Sequence, residues 1–339
     1  ANKSFSFRTD PGRAMEEEKQ QNIDEGLYSR QLYVMGHEAQ RRMAESDVLI
    51  YGLNGLGVEV AKNVILAGVK SVALLDDTPV TLADLSAQFY LGEGDVGQAR
   101  ASACASKLAG LNQYVAVSAM DHADFNGDLA FLLRFRVVVM VGAPLALQIK
   151  VNNHCRQHGI CFVSGDCCGV FGRVFCDFGD EFVVADKDGE PAASCMIAAV
   201  TQGSPALVTV LEDTRHNLET GDVVAISDVE GMAELNGQQF EVTVTTPHSF
   251  EIKCDTTGFS PYKRGGYINQ MKQPTKLSFR SLEQTLGSPL PFLETDFAKA
   301  DRPGVLHQAF RALDRFRETN GGAYPAPGNM EQAGALVEA

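Results

Sequence analysis

The 339 residues carry 29 Lys+Arg against 43 Asp+Glu, a formal charge of −14 at pH 7, which argues against nucleic acid as a partner and suits a basic one. With 45% hydrophobic and 21% charged residues, the chain can bury more than one core and is expected to divide into two or three domains. Its longest apolar run, 137–147, is broken by Gly142 and Pro144 and is shorter than the roughly 20 residues of a membrane span, so no membrane is expected.

Residues 1–22 are polar, with Glu16, Glu17 and Glu18 in a row, and are expected to form a mobile tail. From 23 to 173, short β-like runs at 48–51, 72–75, 114–117, 137–141 and 160–163 alternate with amphipathic segments. That alternation predicts a Rossmann-like, doubly wound, mostly parallel sheet with helices on both faces, hence an α/β fold. Between 174 and 273 the rhythm changes to runs at 181–185, 207–211, 223–226, 240–244 and 250–253. Turn pairs Asp188-Gly189, Thr220-Gly221 and Asn236-Gly237 punctuate them at the spacing of an inserted, small, all-β barrel-like domain. After Pro274 the pattern turns helical, with Leu306, Phe310, Leu313 and Phe316 at helical spacing as ordinary core, stopped by Asn320-Gly321-Gly322. A further helix begins at Met330. Two helices alone leave an apolar stripe uncovered, so 274–339 is expected to be part of a helical bundle whose remainder lies further along a longer chain.

The most informative stretch is Gly52-Leu53-Asn54-Gly55-Leu56-Gly57, between the first core strand and a helix-like run. In a dinucleotide-binding turn, G-x-G-x-x-G, the first glycine makes the turn, the second lets backbone approach a pyrophosphate, and the third lets helix pack on strand. Gly52 and Gly57 keep the architectural roles, while Asn54 replaces the close-approach glycine. The pattern predicts the shape of a nucleotide site without its hold on phosphate, and no cofactor-binding residue is assigned in the turn. Asp76 and Asp77 end the next strand, where a ribose-binding carboxylate sits in dinucleotide sites, but they also suit capping of the next helix. Arg100 reads as a helix-face arginine that packs its stem, with a phosphate contact as the sharper alternative.

Tyr28-Ser29-Arg30-Gln31-Leu32-Tyr33-Val34-Met35-Gly36, the glycine turn, Asp84-Leu85-Ser86-Ala87-Gln88-Phe89, Asp95-Val96-Gly97 and Val229 through Gly237 form an ordered series that resembles the amino-terminal half of ubiquitin-activating enzymes, from about residue 24 onward. The resemblance implies an ATP- and Mg-dependent adenylation of the carboxyl terminus of ubiquitin, followed by transfer to a cysteine as a thioester. It implies two related adenylation domains paired as a pseudo-dimer, one working and one supporting. In the working copy a glycine stands at the position of Asn54, an arginine at that of Ala87, a lysine at that of Arg100, and a metal-binding aspartate follows the fourth strand. Here no aspartate occurs between Asp128 and Asp166. This chain therefore resembles the inactive adenylation domain, with neither ATP nor Mg expected on it. The barrel-like insert resembles the first catalytic-cysteine half-domain, which helps hold ubiquitin. The expected partners are ubiquitin, the active adenylation domain and, through regions elsewhere, ubiquitin-conjugating enzymes. The resemblance assigns one chemical role, to Arg30: crossing the pseudo-dimer interface to the triphosphate held by the partner domain. A guanidinium suits that role because it stays charged and can bond two phosphate oxygens.

Eight cysteines without a Cys-x-x-Cys pair suggest reduced thiols and a cytosolic or nuclear location. His154, Cys155, His158, Cys161, Cys167 and Cys168 are dense but lack paired zinc knuckles, so no metal is expected there. Cys195 and Cys254 lack a neighbouring histidine-based motif and are not expected to be nucleophiles. Three other readings stay open: an activating enzyme for a related ubiquitin-like modifier, a scaffold in which Arg30 has no chemical role, and an NAD-dependent oxidoreductase using Asp76 on the ribose.

Overall fold

The computed structural model describes residues 23–121, 128–213, 215–289, 291 and 296–338, so the expected tail at 1–22 lies outside the described residues. Two compact units result, 1–180 with 279–339 and 181–278.

In the larger unit, helix α1 (Glu25–Ala44) starts at Asp24, whose carboxylate accepts from Leu27 N, and kinks at Gly36 (φ 77°). Strand β1 (Asp47–Tyr51) is followed by α2 (Gly55–Leu66), β2 (Ser71–Leu75), α3 (Arg100–Ala109) and β3 (Ala116–Ala119). Then come β4 (Val137–Val141), α4 (Leu145–Gln157), β5 (Cys161–Cys168) and β6 (Phe171–Asp177). The sheet order is β3-β2-β1-β4-β5-β6, parallel throughout except for β6, which returns antiparallel to β5. Alternate residues feed two cores. Val48, Ile50, Leu74 and Val139 pack with Val58, Ala61 and Ile65 of α2 on one face. Leu49, Leu75, Val138 and Met140 pack with Val151 and Cys155 of α4 on the other. Burial on both faces is what a doubly wound sheet requires of its strands. The first crossover direction reverses between β1 and β4, so the Gly52–Gly57 turn stands at the switch point, where such sheets bind ligands.

The smaller unit is a closed six-stranded barrel, β10-β11-β12-β9-β8-β13, plus a two-stranded ladder. The ladder joins β7 (Phe182–Val184) to β14 (Thr275–Leu277). The barrel strands are β8 (Ser194–Val200), β9 (Ala206–Val210), β10 (Val223–Glu230), β11 (Gln239–Thr246), β12 (Ser249–Ile252) and β13 (Arg264–Met271). Ile197, Val208, Val224, Ile226, Val242, Phe250, Ile252 and Ile268 fill the inside. Two expectations shift. The unit runs from 181 to 278 rather than 174 to 273, because 171–177 continues the first sheet as β6 and the 275–277 segment returns to pair with β7. The run 181–185 lies in that ladder and not in the barrel wall.

After the barrel the chain returns to the larger unit through α5 (Leu282–Gly287), α6 (Arg302–Thr319) and α7 (Met330–Glu338). Helix α6 is tied to the sheet by a half-buried arginine between two buried aspartates. Arg173 on β6 bonds both carboxylate oxygens of Asp314 and, through Nε at 2.9 Å, Asp166 on β5. Among the described residues, no helix is long and apolar enough to cross a membrane.

Candidate functional site

Both architectural glycines are fixed by contact. Gly52 has φ +85°, and a Cβ there would lie 2.1 Å from the Val141 carbonyl oxygen. A Cβ on Gly57 would lie 1.9 Å from the Gly52 carbonyl oxygen, so helix α2 packs on its own entry turn through bare backbone. Gly55 abuts Ala87, whose carbonyl oxygen would be 2.8 Å from an added Cβ.

The donors of this turn point at the protein itself. A helix N-terminus binds anions because its first N–H groups lack intrahelical partners. Here Asn54 is the N-cap, and its Oδ1 accepts from Leu56 N at 3.1 Å and Gly57 N at 3.0 Å. Val58 N is taken by the Asn54 carbonyl at 3.0 Å, and Gly52 N by the Leu75 carbonyl at 3.0 Å. Leu53 N donates to Asp76 Oδ2 at 2.7 Å. Five of the N–H groups from 52 to 58 are therefore spent, one of them on a buried carboxylate that repels phosphate.

Asp76 is held inside the turn. Its Oδ1 also accepts from Thr78 N at 3.0 Å, and Arg100 lies 3.5 Å from its Oδ2. Arg100 pairs more closely with Asp84 at 2.6 Å. The structure thus gives Asp76 a third use, bracing the glycine turn, beyond the ribose and helix-capping roles considered from sequence. Arg100 is an ion-paired bridge between two loops, and more than a packed stem. Asp77 is exposed. Gln88, 2% exposed, completes the brace by donating to the Leu53 carbonyl at 3.1 Å.

At the end of β4, Gly142 (φ +70°) presents its carbonyl to Arg317 of α6 at 2.9 Å. Arg317 is 6% exposed, also donates to the Gly322 carbonyl at 3.1 Å, and lies over the Tyr324 ring at 4.3 Å. The place where the resemblance puts a metal-binding carboxylate holds a carbonyl bonded to a cation. No sequence pattern announced the Arg317–Gly142 contact or the Arg173–Asp314 pair, whose partners lie 175 and 141 residues apart.

Arg30 lies in the second turn of α1, exposed and without an ion pair among the described residues. Leu27 (57% exposed), Arg30 and Val34 (80%) form an outward stripe, with Tyr33 (93%) beside it. The structure does not bring Arg30 together with the glycine turn through any hydrogen bond or ion pair among the described residues.

The cysteine-rich stretch does not assemble a metal centre: among the described residues, no group of three His, Cys, Asp or Glu side chains could hold an ion. All eight thiols are free. Burial pushes the Cys155 thiol up to about 12 and raises Cys195. Burial and the neighbouring Asp255 raise Cys254. Such thiols stay protonated at neutral pH and are poor nucleophiles.

Sequence comparison adds the family. The profile of the ThiF family matches residues 28–223, that of the ubiquitin-activating enzyme E1 FCCH domain matches 203–272, and that of the ubiquitin-activating enzyme E1 four-helix bundle matches 273–339. The chain is 49% identical over 319 residues to ubiquitin-like modifier-activating enzyme 1 of Homo sapiens, covering 93% of this chain and 29% of that protein. It is 45% identical over 314 residues to ubiquitin-activating enzyme E1 1 of Candida albicans (strain WO-1), covering 92% and 30%. It is 45% identical over 320 residues to ubiquitin-activating enzyme E1 1 of Arabidopsis thaliana, covering 94% and 29%. The chain spans about three-tenths of the length of these relatives. A glycine turn at the switch point of a doubly wound sheet, a barrel after it and helices after that appear in the order the profiles demand: the chain belongs to the ThiF family and is homologous to the amino-terminal part of the ubiquitin-activating enzymes.

Proposed function

We propose that this chain is the supporting, non-adenylating half of an ATP-dependent ubiquitin-activating enzyme. The single observation that carries the reading is the turn at 52–57, where Asn54 Oδ1 and Asp76 Oδ2 take up the N–H groups that would cradle phosphate. With no carboxylate between the end of β4 and Asp166, the residues present do not fit ATP and Mg, and the chain contributes no chemical step through them. The adenylating site belongs to the partner adenylation domain. This chain supplies a wall of that site and the guanidinium of Arg30. Held at the partner's triphosphate, a preorganised cation stabilises charge on the departing pyrophosphate by about 3 kcal/mol. The barrel at 181–278 contributes to holding ubiquitin, whose basic surface suits the acidic chain. The thioester-forming cysteine and recruitment of conjugating enzymes are assigned to regions of the relatives beyond the matched part. A reducing compartment, cytosol or nucleus, suits the eight free thiols.

ATP–pyrophosphate exchange with ubiquitin tests the reading. The chain by itself gives no exchange above background, and the full-length enzyme exchanges. Exchange by the isolated chain would refute the supporting role. Substituting related ubiquitin-like modifiers in the same assay decides which modifier is activated. The purely scaffolding alternative predicts an Arg30→Ala enzyme with unchanged exchange.

A further inference from the structure

The segment that carries Arg30 is bolted on its inner side to the end of α2 and the loop after α3. Tyr28, 8% exposed, accepts at its hydroxyl from Asn112 Nδ2 at 2.8 Å. Asn112, 6% exposed, also donates to the Ile65 carbonyl at 3.0 Å and accepts from Tyr114 N at 3.1 Å. One turn on, Gln31 Nε2 donates to the Ala67 carbonyl at 2.8 Å. Gly68, at φ +82°, makes room for the phenol: a Cβ there would stand 2.5 Å from Tyr28 Oη. At the start of the helix, Tyr114 donates its hydroxyl to Asp24 at 2.9 Å. Positions 28 and 31 thus face inward and are hydrogen-bonded there, while 27, 30 and 34 face outward. Rolling α1 about its axis would break the inner bonds and displace the Arg30 guanidinium together.

We propose that Asn112, acting through Tyr28, is a positioning residue for Arg30. The inference rests on the trans-acting role of Arg30 given above. Asn112 lies 84 residues from Tyr28 in the chain and touches nothing on the outer face, so its effect on the reaction passes through the rotation of α1. A guanidinium that must meet a phosphate held by another domain tolerates little displacement, since about 1 Å of misplacement can cost up to about 100-fold in rate.

The test is a double-mutant cycle in the full-length enzyme, read by kcat of ATP–pyrophosphate exchange. Tyr28→Phe keeps the ring and removes the hydroxyl that Asn112 grips. We expect it to lower kcat about tenfold when Arg30 is present and less than about twofold in an Arg30→Ala background, because residues acting through one another are non-additive. Asn112→Ala, which removes the donor that grips Tyr28, goes through the same cycle and must show the same non-additivity, which covers the case of a Tyr28→Phe enzyme that folds poorly. Equal factors in both backgrounds would show a general structural role and overturn the inference, as would an unchanged kcat in both single variants. If Arg30→Ala itself has no effect, the trans-acting reading falls, and the inference with it. If Arg30→Ala lowers exchange while the cycle is additive, the inference alone fails.

Discussion

The glycine turn and the first turns of α1 both place polar groups against the ends of α2, yet they use them in opposite directions. At the turn, the carboxamide of Asn54 and the carboxylate of Asp76 point inward and consume backbone donors. On α1, Tyr28 and Gln31 take the inward bonds and leave the Arg30 guanidinium outside. The comparison teaches that retention of a fold's shape says little about retention of its chemistry. What decides is where each donor's hydrogen bond goes, an accounting the backbone makes obligatory.

The largest effect that would break this comparison is on Arg30. Arg30→Ala in the full-length enzyme is expected to cut ATP–pyrophosphate exchange by about 10²–10³-fold, the loss typical of one preorganised donor at a developing anion. Thermal unfolding should be unchanged, since the side chain is exposed and unpaired among the described residues. A fall below threefold would place Arg30 among the solvated surface groups.

Next in size is the turn. Gly57→Ala must push a methyl against the Gly52 carbonyl, and is expected to destabilise the larger unit by about 3 kcal/mol in a urea titration, at the upper end for overpacking. Equal stability would mean that helix and strand are not packed through bare backbone. Asn54→Ala removes the N-cap and should cost about 1 kcal/mol in the same titration.

The smallest effect concerns Asp84. Burial pushes its carboxyl up, but hydrogen bonds from Thr81 and the Arg100 guanidinium outweigh that and hold it below its ordinary 3.8. A depressed acid stabilises the fold above its unfolded pKa and loses that contribution as pH falls through its folded value. Asp84→Asn is therefore expected to cost about 1 kcal/mol at pH 7, with the gap to the parent chain closing below about pH 4. A gap independent of pH would assign the loss to packing.

The comparison also shows what a sequence can carry. Strands at 48–51, 72–75 and 137–141 were legible to within a residue, because buried parallel strands are continuous apolar runs. The run at 114–117 marked the buried Val115 of the preceding turn, and the strand itself starts at Ala116 on an exposed edge. Strand β13 has no counterpart among the runs read from sequence, because Gly265 and Gly266 interrupt its apolar alternation. Gly266 instead lets β13 press against the barrel interior, where an added Cβ would meet Val229 at 2.7 Å and Ile197 at 3.0 Å. Strand β6 was hidden by Gly172 and by Arg173, a charge that the core accepts only because Asp166 and Asp314 meet it there. In the candidate site, the degenerate spacing of Gly52, Asn54 and Gly57 was readable. The Asn54 bonds are local, but those of Asp76 and Gln88 to the turn join residues 23 and 35 positions apart and follow from the folded sheet alone.

The central claim is that this chain keeps the nucleotide fold and has turned its phosphate donors on itself. Calorimetric titration of the chain with Mg-ATP tests it most directly: the account predicts no saturable heat at millimolar nucleotide, and a one-to-one isotherm abolished by a bulky side chain at Gly55 would contradict it.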